Sequence, residues 1–427
     1  MEYRSIGVMM RTGGRRSGWA FWIIAPFLHC SITPFCFAAD WPQWRGPDRN
    51  GISTESGWTA VWPKEGPKRL WRASVGTGFS SLAVSKGRVY TLGNTADTDT
   101  LFCLDAETGS VVWKHSYPCS PVAVRHEGGP GATPTVDGEH VYSLSRKGHL
   151  FCLGASDGKV VWRTELTDDA GSWQPMYGFT SSPLVQGNRL ILNAGPAGLA
   201  VNKNTGEVLW RSGRKSSGYA SAVPFQSAAP GVALFTPHEL VGVRVSDGQV
   251  LWRYPWATRW DLNIADPIII GDKILILSGY DRGSALLRFD GAEPKPIWEN
   301  KELRSHFSTP VLFDGHVFGF DGNTHNMADC SLKCLEAATG KLKWKANELQ
   351  LGALIVADGK LIALDHRGEL FVAPASPDGF KPLARAQVIG GKCWIAPVLA
   401  NGRIYVRNAQ GEVACLDMRE GRSQRDE

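Results

Sequence analysis

Two irregular stretches of this 427-residue chain gather side chains able to coordinate, stack or recognise. Residues 171–179 carry Trp173, Met176, Tyr177 and Phe179. Residues 256–266 carry Arg259, Trp260, Asp261, Asn263 and Asp266. Asp261, Asn263 and Asp266 offer oxygen donors of the kind Ca²⁺ takes, but one acidic cluster in one loop is a thin basis for a metal site, and none is expected. Aromatic and charged residues concentrated in connectors suit recognition of a peptide, a glycan or a small anion. The competing reading is that they fill an otherwise empty interior. His306 and Trp394 stand at comparable irregular points. Six further histidines (126, 140, 149, 316, 325 and 366) are scattered without ligand spacing and read as surface or hydrogen-bonded turn residues. No Ser-His-Asp order or G-x-S-x-G element supports hydrolysis. No catalytic residue is assigned.

Cysteine usage adds no redox centre. Of nine cysteines, seven lie beyond residue 39. Cys103, Cys152, Cys334 and Cys415 each precede leucine at one recurring position, so they read as small apolar core residues. Cys330 and Cys334 on a single strand would stand ~13 Å apart, too far to bridge. Cys119 and Cys393 have no evident partner, and adjacent cysteines and C-x-x-C-H are absent from the sequence.

The elements that position these residues come from a repeat. Cys103-Leu-Asp-Ala-Glu-Thr-Gly109, closing at Trp113, returns as Cys152 to Gly158 and Trp162, and as Cys334 to Gly340 and Trp344. Shorter copies are Asn204-Thr205-Gly206 with Trp210 and Ser246-Asp247-Gly248 with Trp252. Trp298 closes a degenerate copy, and Trp71 stands without a preceding turn. From Trp71 to Trp344 the spacings are 42, 49, 48, 42, 46 and 46 residues, a period that marks a repeat architecture.

Eight units open near Phe79, Gly131, Phe179, Tyr219, Ile264, Phe307, Leu351 and Trp394; the seventh lacks its tryptophan at 384–388. Each unit holds four short strands, with Asp-Gly and Thr-Gly supplying the positive φ that tight turns need. No unit shows 3.6-residue apolar spacing, which excludes a helical solenoid. The fold class is all-β: an eight-bladed β-propeller of four-stranded antiparallel blades. The last unit lacks a fourth strand, whereas Arg69-Leu-Trp71-Arg-Ala is a fourth strand without its first three. The N-terminal strand is therefore expected to complete the last blade and close the ring.

The repeated Ala-x-x-Thr-Gly-x-x-x-Trp, with Lys or Arg after most of the tryptophans, resembles the pyrroloquinoline-quinone (PQQ) type repeat from about Leu70 to Met418. The leader Asp40-Trp-Pro-Gln-Trp-Arg-Gly-Pro47 looks like the opening of many exported PQQ-like propellers, and its expected role is a capping arm over the bottom or side of the ring. The resemblance implies one of two functions. Quinoprotein alcohol dehydrogenases hold PQQ and calcium in the central funnel, with the quinone between a tryptophan and an adjacent-cysteine disulfide. The propeller subunit of the outer-membrane β-barrel assembly machinery is non-enzymatic. This sequence lacks the cysteine pair and a haem motif, which favours the second.

The N-terminus reads as an export signal. Arg11, Arg15 and Arg16 precede an apolar stretch from Trp19, and Ala38-Ala39 offers a cleavage point. Arg15-Arg16 leaves the twin-arginine route open beside the general one. An uncleaved anchor fits poorly, because His29, Ser31, Thr33 and two prolines interrupt the span. Residues 1–39 carry four arginines and one glutamate, so the remainder has 42 basic and 40 acidic side chains. That balance excludes nucleic acid as a partner. The expected organisation is a signal at 1–39, a capping arm at 40–68, the propeller at 69–418 and a polar tail at 419–427. The expected function is that of a periplasmic, monomeric binding or scaffold propeller for envelope proteins or peptides, with peripheral membrane association left open. No cofactor is expected; PQQ and calcium belong to the dehydrogenase alternative. Recognition is expected at the axis, from Trp173, Tyr177, Arg259, Trp260, Asp261, Asn263, Asp266, His306 and Trp394.

Overall fold

The computed structural model describes residues 39–124, 126–167, 171–213, 217–289 and 293–419. Apart from Ala39, the expected export signal lies outside them, and of the polar tail only Arg419 lies within. Eight sheets of four antiparallel strands succeed one another along the chain, one of them extended by a fifth, parallel strand. Blade 1 runs from the axis outwards as Ala83–Ser85, Arg88–Thr95, Thr98–Asp105 and Val111–Pro118. Its middle strands are largely buried between neighbouring blades, while the outer strand alternates with solvent. The eighth blade is Val398–Ala400, Arg403–Arg407 and Glu412–Asp417, completed by Arg69–Ser74 with Arg72 opposite Ala414. The ring thus closes with the N-terminal strand, as the sequence predicts. Among the described residues the single helical element is the 3₁₀ turn Met327–Asp329, and no helix is long and apolar enough to cross a membrane.

The repeat pattern follows from how blades dock. A Cβ on Gly109 would sit 2.5 Å from the Trp71 ring, and one on Gly158 would sit 2.5 Å from Trp113. Gly206 faces Trp162 at 2.6 Å, Gly248 faces Trp210 at 2.5 Å and Gly340 faces Trp298 at 2.8 Å. Each indole therefore lies on the turn of the following blade, which tolerates no side chain there. The same indoles donate Nε1–H to carbonyls of that blade: Ala106, Ala155, Lys203, Val245 and Ala337, at 2.9–3.1 Å. Trp344 donates to Ser376 at 2.8 Å, and Trp252 meets Phe289 where the fifth blade lacks the usual turn. Apolar area and one satisfied donor are delivered together, the pairing that suits tryptophan to an interface. All seven described cysteines are buried and free, with Cys103, Cys152, Cys334 and Cys415 on third strands.

The N-terminal arm departs from the expected cap. It enters the channel instead of only covering the ring from outside. Trp41 pairs with Val84 on the innermost strand of blade 1, and the Pro42 carbonyl accepts from Val136 N–H on that of blade 2. Arg49 reaches the Ser182 and Pro183 carbonyls beside blade 3, and Arg45 reaches those of Thr309 and Pro310 beside blade 6. Ile52–Ser53 then adds a parallel strand inside Gly352–Ala357 of blade 7. Beyond it, Glu55 accepts from the Asn401 and Gly402 amides, and Thr59 N–H donates to the Met418 carbonyl. Where the seventh blade lacks its tryptophan, Trp62 of the arm packs into the same core as Ala386 and donates to the Arg385 carbonyl.

Candidate functional site

The arm fills one end of the channel. The other end is a chamber of about 460 Å³ with Trp44 of the arm in its wall. That volume lies in the range of small-ligand sites. The wall is built by the segments that open the blades, because those segments converge on the axis. Phe79, Gly131, Tyr219, Ile264, Phe307 and Trp394, six of the eight unit openings, line it. Phe179 turns into a core between blades instead, and Leu351 is buried away from the chamber wall.

Apart from Trp44, the aromatic side chains on the wall form one continuous chain of ring contacts. Phe307 lies 4.9 Å from Trp394, which stacks on Phe79 at 5.6 Å and 23°. Phe79 meets His126 edge-on at 5.2 Å, His126 stacks on Tyr177 at 5.5 Å and 18°, and Tyr177 meets Tyr219 at 6.1 Å. In the other direction Phe307 contacts His306, His306 contacts Tyr280 and Tyr280 contacts His325. The belt is open only between Tyr219 and Tyr280, where Leu262, Ile264 and Asp266 stand. Three of these eight pairs meet edge to face, and the rest are stacked or tilted, so the rings support one another.

Electrostatics inside the chamber are set by burial. Burial pushes the His306 pKa down to about 4, helped by the neighbouring His325. Burial and then Arg146 push His126 down to about 4 as well. Both rings are therefore neutral at pH 7. His126 Nδ1 accepts the Gly128 N–H at 3.1 Å, which leaves its proton on Nε2. Arg146, only 4% exposed, lines the wall with its guanidinium over Phe79, and burial lowers its pKa to about 10, so it stays charged. Lys392 sits 4.7 Å from the Trp394 ring and is neutralised by both oxygens of Glu127.

Asp266 is the only carboxylate on the wall among the described residues. It accepts Trp44 Nε1–H at 2.6 Å and Ser221 N–H at 2.7 Å. Burial raises its pKa, while Arg45, Trp44, Ser221 and Arg49 hold it down. Its oxygens thus serve the arm as much as the chamber.

Of the nine positions expected at the axis, Tyr177, Asp266, His306 and Trp394 line the chamber. The others do not. Trp173 and Trp260 are 62% and 53% exposed. Arg259 covers the Trp260 ring at 5.1 Å. Asp261 lies in an exposed turn at φ 57°, 3.3 Å from His238. Asn263 is buried, donating to the Thr236, Pro237 and Trp256 carbonyls and accepting from Ser278. A connector that reverses direction within four residues sends adjacent side chains to different environments, so Asp261, Asn263 and Asp266 do not converge. No described group of three or more His, Cys, Asp or Glu is gathered to hold a metal. His126 and His325, expected as surface or turn residues, stand on the wall instead. Phe79, Tyr219 and Phe307 could have been found from the register of the repeat, as aromatics at unit openings that face the axis. Arg146 carries no such signal, because its Ser145–Lys147 turn reads as an ordinary hairpin.

Comparison with known proteins adds the family. A profile of the family described as outer membrane protein assembly factor BamB matches residues 59–123 and 115–346. No curated protein matches the chain in sequence. The crystal structure of BamB from Moraxella catarrhalis is similar at 15% identity and TM-score 0.61, over 84% of this chain and 99% of that one. The quinohemoprotein alcohol dehydrogenase from Comamonas testosteroni is similar at 13% identity and TM-score 0.65, over 91% and 82%. A computationally designed protein, Ika8, reaches TM-score 0.58 at 14% identity over 82% and 100%. At these identities the likeness is one of fold. With the profile spanning more than half of its length, the chain belongs to the BamB-type family of PQQ-like β-propellers.

Proposed function

We propose that this chain is an extracytoplasmic, non-enzymatic binding propeller whose axial chamber takes an aromatic or apolar group of an envelope protein or peptide. The observation that carries the reading is the continuous aromatic belt around a chamber of ligand size. Aromatic side chains supply large contact area at small entropic cost and dominate binding energy where they cluster. The exposed Trp173, Met176 and Trp260 on connectors of the same ring extend the apolar surface available to a partner. The matched family, described as an outer membrane assembly factor, supports a protein partner and a location beyond the cytoplasm.

The residues fit the quinone-and-calcium alternative poorly. Phe79 and Phe307 both pack against the Trp394 ring, and the one wall carboxylate is already an acceptor twice over. A photo-crosslinker at Thr324, on the chamber wall, should capture a discrete envelope protein in cells, and Trp394→Ala should abolish that capture. The same probe at Leu342, on an outer strand, should not give it. Equal labelling from both positions, or PQQ- and Ca²⁺-dependent oxidation of ethanol or an aldose, would overturn the reading.

A further inference from the structure

Four arginines of the axial region are buried without an ion pair to any described carboxylate: Arg45, Arg49, Arg146 and Arg407, at 7, 7, 4 and 0% exposure. Three of them are each held by three or more hydrogen bonds to groups of the chain. Arg45 donates to the carbonyls of Arg49, Asn50, Thr309 and Pro310. Arg49 donates to Gln43 Oε1 and to the Ser182 and Pro183 carbonyls. Arg407 donates from its two terminal nitrogens to Thr91 Oγ1 and to the Gly76, Ser80 and Leu92 carbonyls, and its Nε–H alone is buried without a partner. A guanidinium has five N–H donors in a fixed fork, and carbonyl cages of this kind use most of them.

Arg146 is different. Its one hydrogen bond runs from Nη1 to the Tyr177 carbonyl, and its Nε–H is buried with no partner at all. It is also the only one of the four on the chamber wall. The carboxylate that acts on it through space, Asp99, makes no ion pair with it, and burial raises the Asp99 pKa towards the neutral form. A buried cation with unused donors is costly unless an anion completes it. The fork is held in place from behind. Gly178, at φ 77°, passes so close that a Cβ there would lie 2.6 Å from Arg146 Cβ, and the Arg146 carbonyl accepts Phe179 N–H. Neutral His126, with its proton on Nε2, stands beside it on the wall.

We propose that Arg146 is the anion-recognition residue of the chamber, and that the guest is a carboxylate borne on an aromatic body. This rests on the binding reading above and narrows it. The aromatic belt takes the body and the guanidinium takes the carboxylate, whose two oxygens match the fork. Two sources supply that chemistry: the C-terminal aromatic residue of a peptide or protein, and a free aryl carboxylic acid.

The test is calorimetric titration of the whole protein with N-acetyl-Ala-Phe, with its C-terminal amide and with 3-phenylpropionate. The acid peptide should bind at least about ten-fold tighter than the amide, because a charge-assisted pair is lost without its anion. Arg146→Gln should bring acid and amide within about two-fold of each other, while Arg146→Lys should keep part of the preference, since it retains charge without the fork. The wild-type acid-to-amide ratio decides the matter even where a variant folds badly. Tighter binding of the peptide points to a chain terminus, and equal or tighter binding of 3-phenylpropionate points to a free acid; both uphold the assignment. Equal binding of acid and amide overturns the role of Arg146 and leaves the chamber as a binding site. Absence of binding by all three probes at millimolar concentration overturns both.

Discussion

The two ends of the axial channel contain similar residues, tryptophan and arginine, put to opposite uses. At the plugged end, Trp44 Nε1 has Asp266 and the Arg45 guanidinium has four carbonyls. At the open end, the rings of Trp394, Phe79, His126 and Tyr177 touch in succession along one side, and Arg146 holds a single carbonyl. A plug is finished when its polar groups are matched within the chain; a binding chamber is not. The number of hydrogen bonds made therefore separates structural from receptive arginines better than burial does, since all four are buried alike and only Arg146 makes a single one.

The most disruptive change removes what both ends depend on. Ending the chain at Ala400 deletes two strands of blade 8 and leaves Arg69–Ser74 without its partner. Calorimetry should then show no cooperative unfolding, and a truncated protein with a sharp transition would refute ring closure as the source of stability. Next comes Trp210→Ala, which empties an interblade dock and should cost ~3–5 kcal/mol in denaturant unfolding. It sets the scale for an ordinary contact outside the channel. Arg45→Met should cost about 3 kcal/mol, because four buried acceptors lose their donor together. Arg146→Met should stay within about 1 kcal/mol, since it removes an uncompensated buried charge. Equal losses for the two arginines would erase the distinction between the ends.

The smallest effect is on pH dependence. His126 and His306 have pKa values near 4 in the folded chamber against 6.5 in the unfolded chain. Between these values the unfolded state binds more protons, so stability falls as pH drops from about 6.5 to about 4 and levels off below. Urea midpoints measured across that window should show the decline, and His306→Phe should flatten part of it.

How much of this was legible in the sequence depended on periodicity. The tryptophans and turn glycines recur because every blade docks in the same way, and the unmatched strand at Arg69–Ser74 announced closure. The chamber was half legible: Tyr177, Asp266, His306 and Trp394 stand out as irregular, yet Trp173 and Trp260 stand out equally and point to solvent. Side-chain direction in an aperiodic connector is set by tertiary contacts that no local pattern records. The plug was not legible as a plug. Arg49 finds Ser182 across 133 residues and Trp44 finds Asp266 across 222, with no repeat to link them.

The route of the arm has a consequence for how the molecule is made. The segment from Trp41 to Ser53 is made before any of the blades, yet it bonds to innermost strands, or to residues beside them, in blades 1, 2, 3, 5, 6 and 7. The strand behind it waits for Glu412–Asp417. Early-made chain is thus the last to find its place. Until the final blade exists, a tryptophan-rich leader and an unpaired strand edge remain exposed, and such contacts at great sequence separation form slowly. Assembly of this ring is gated by its own beginning.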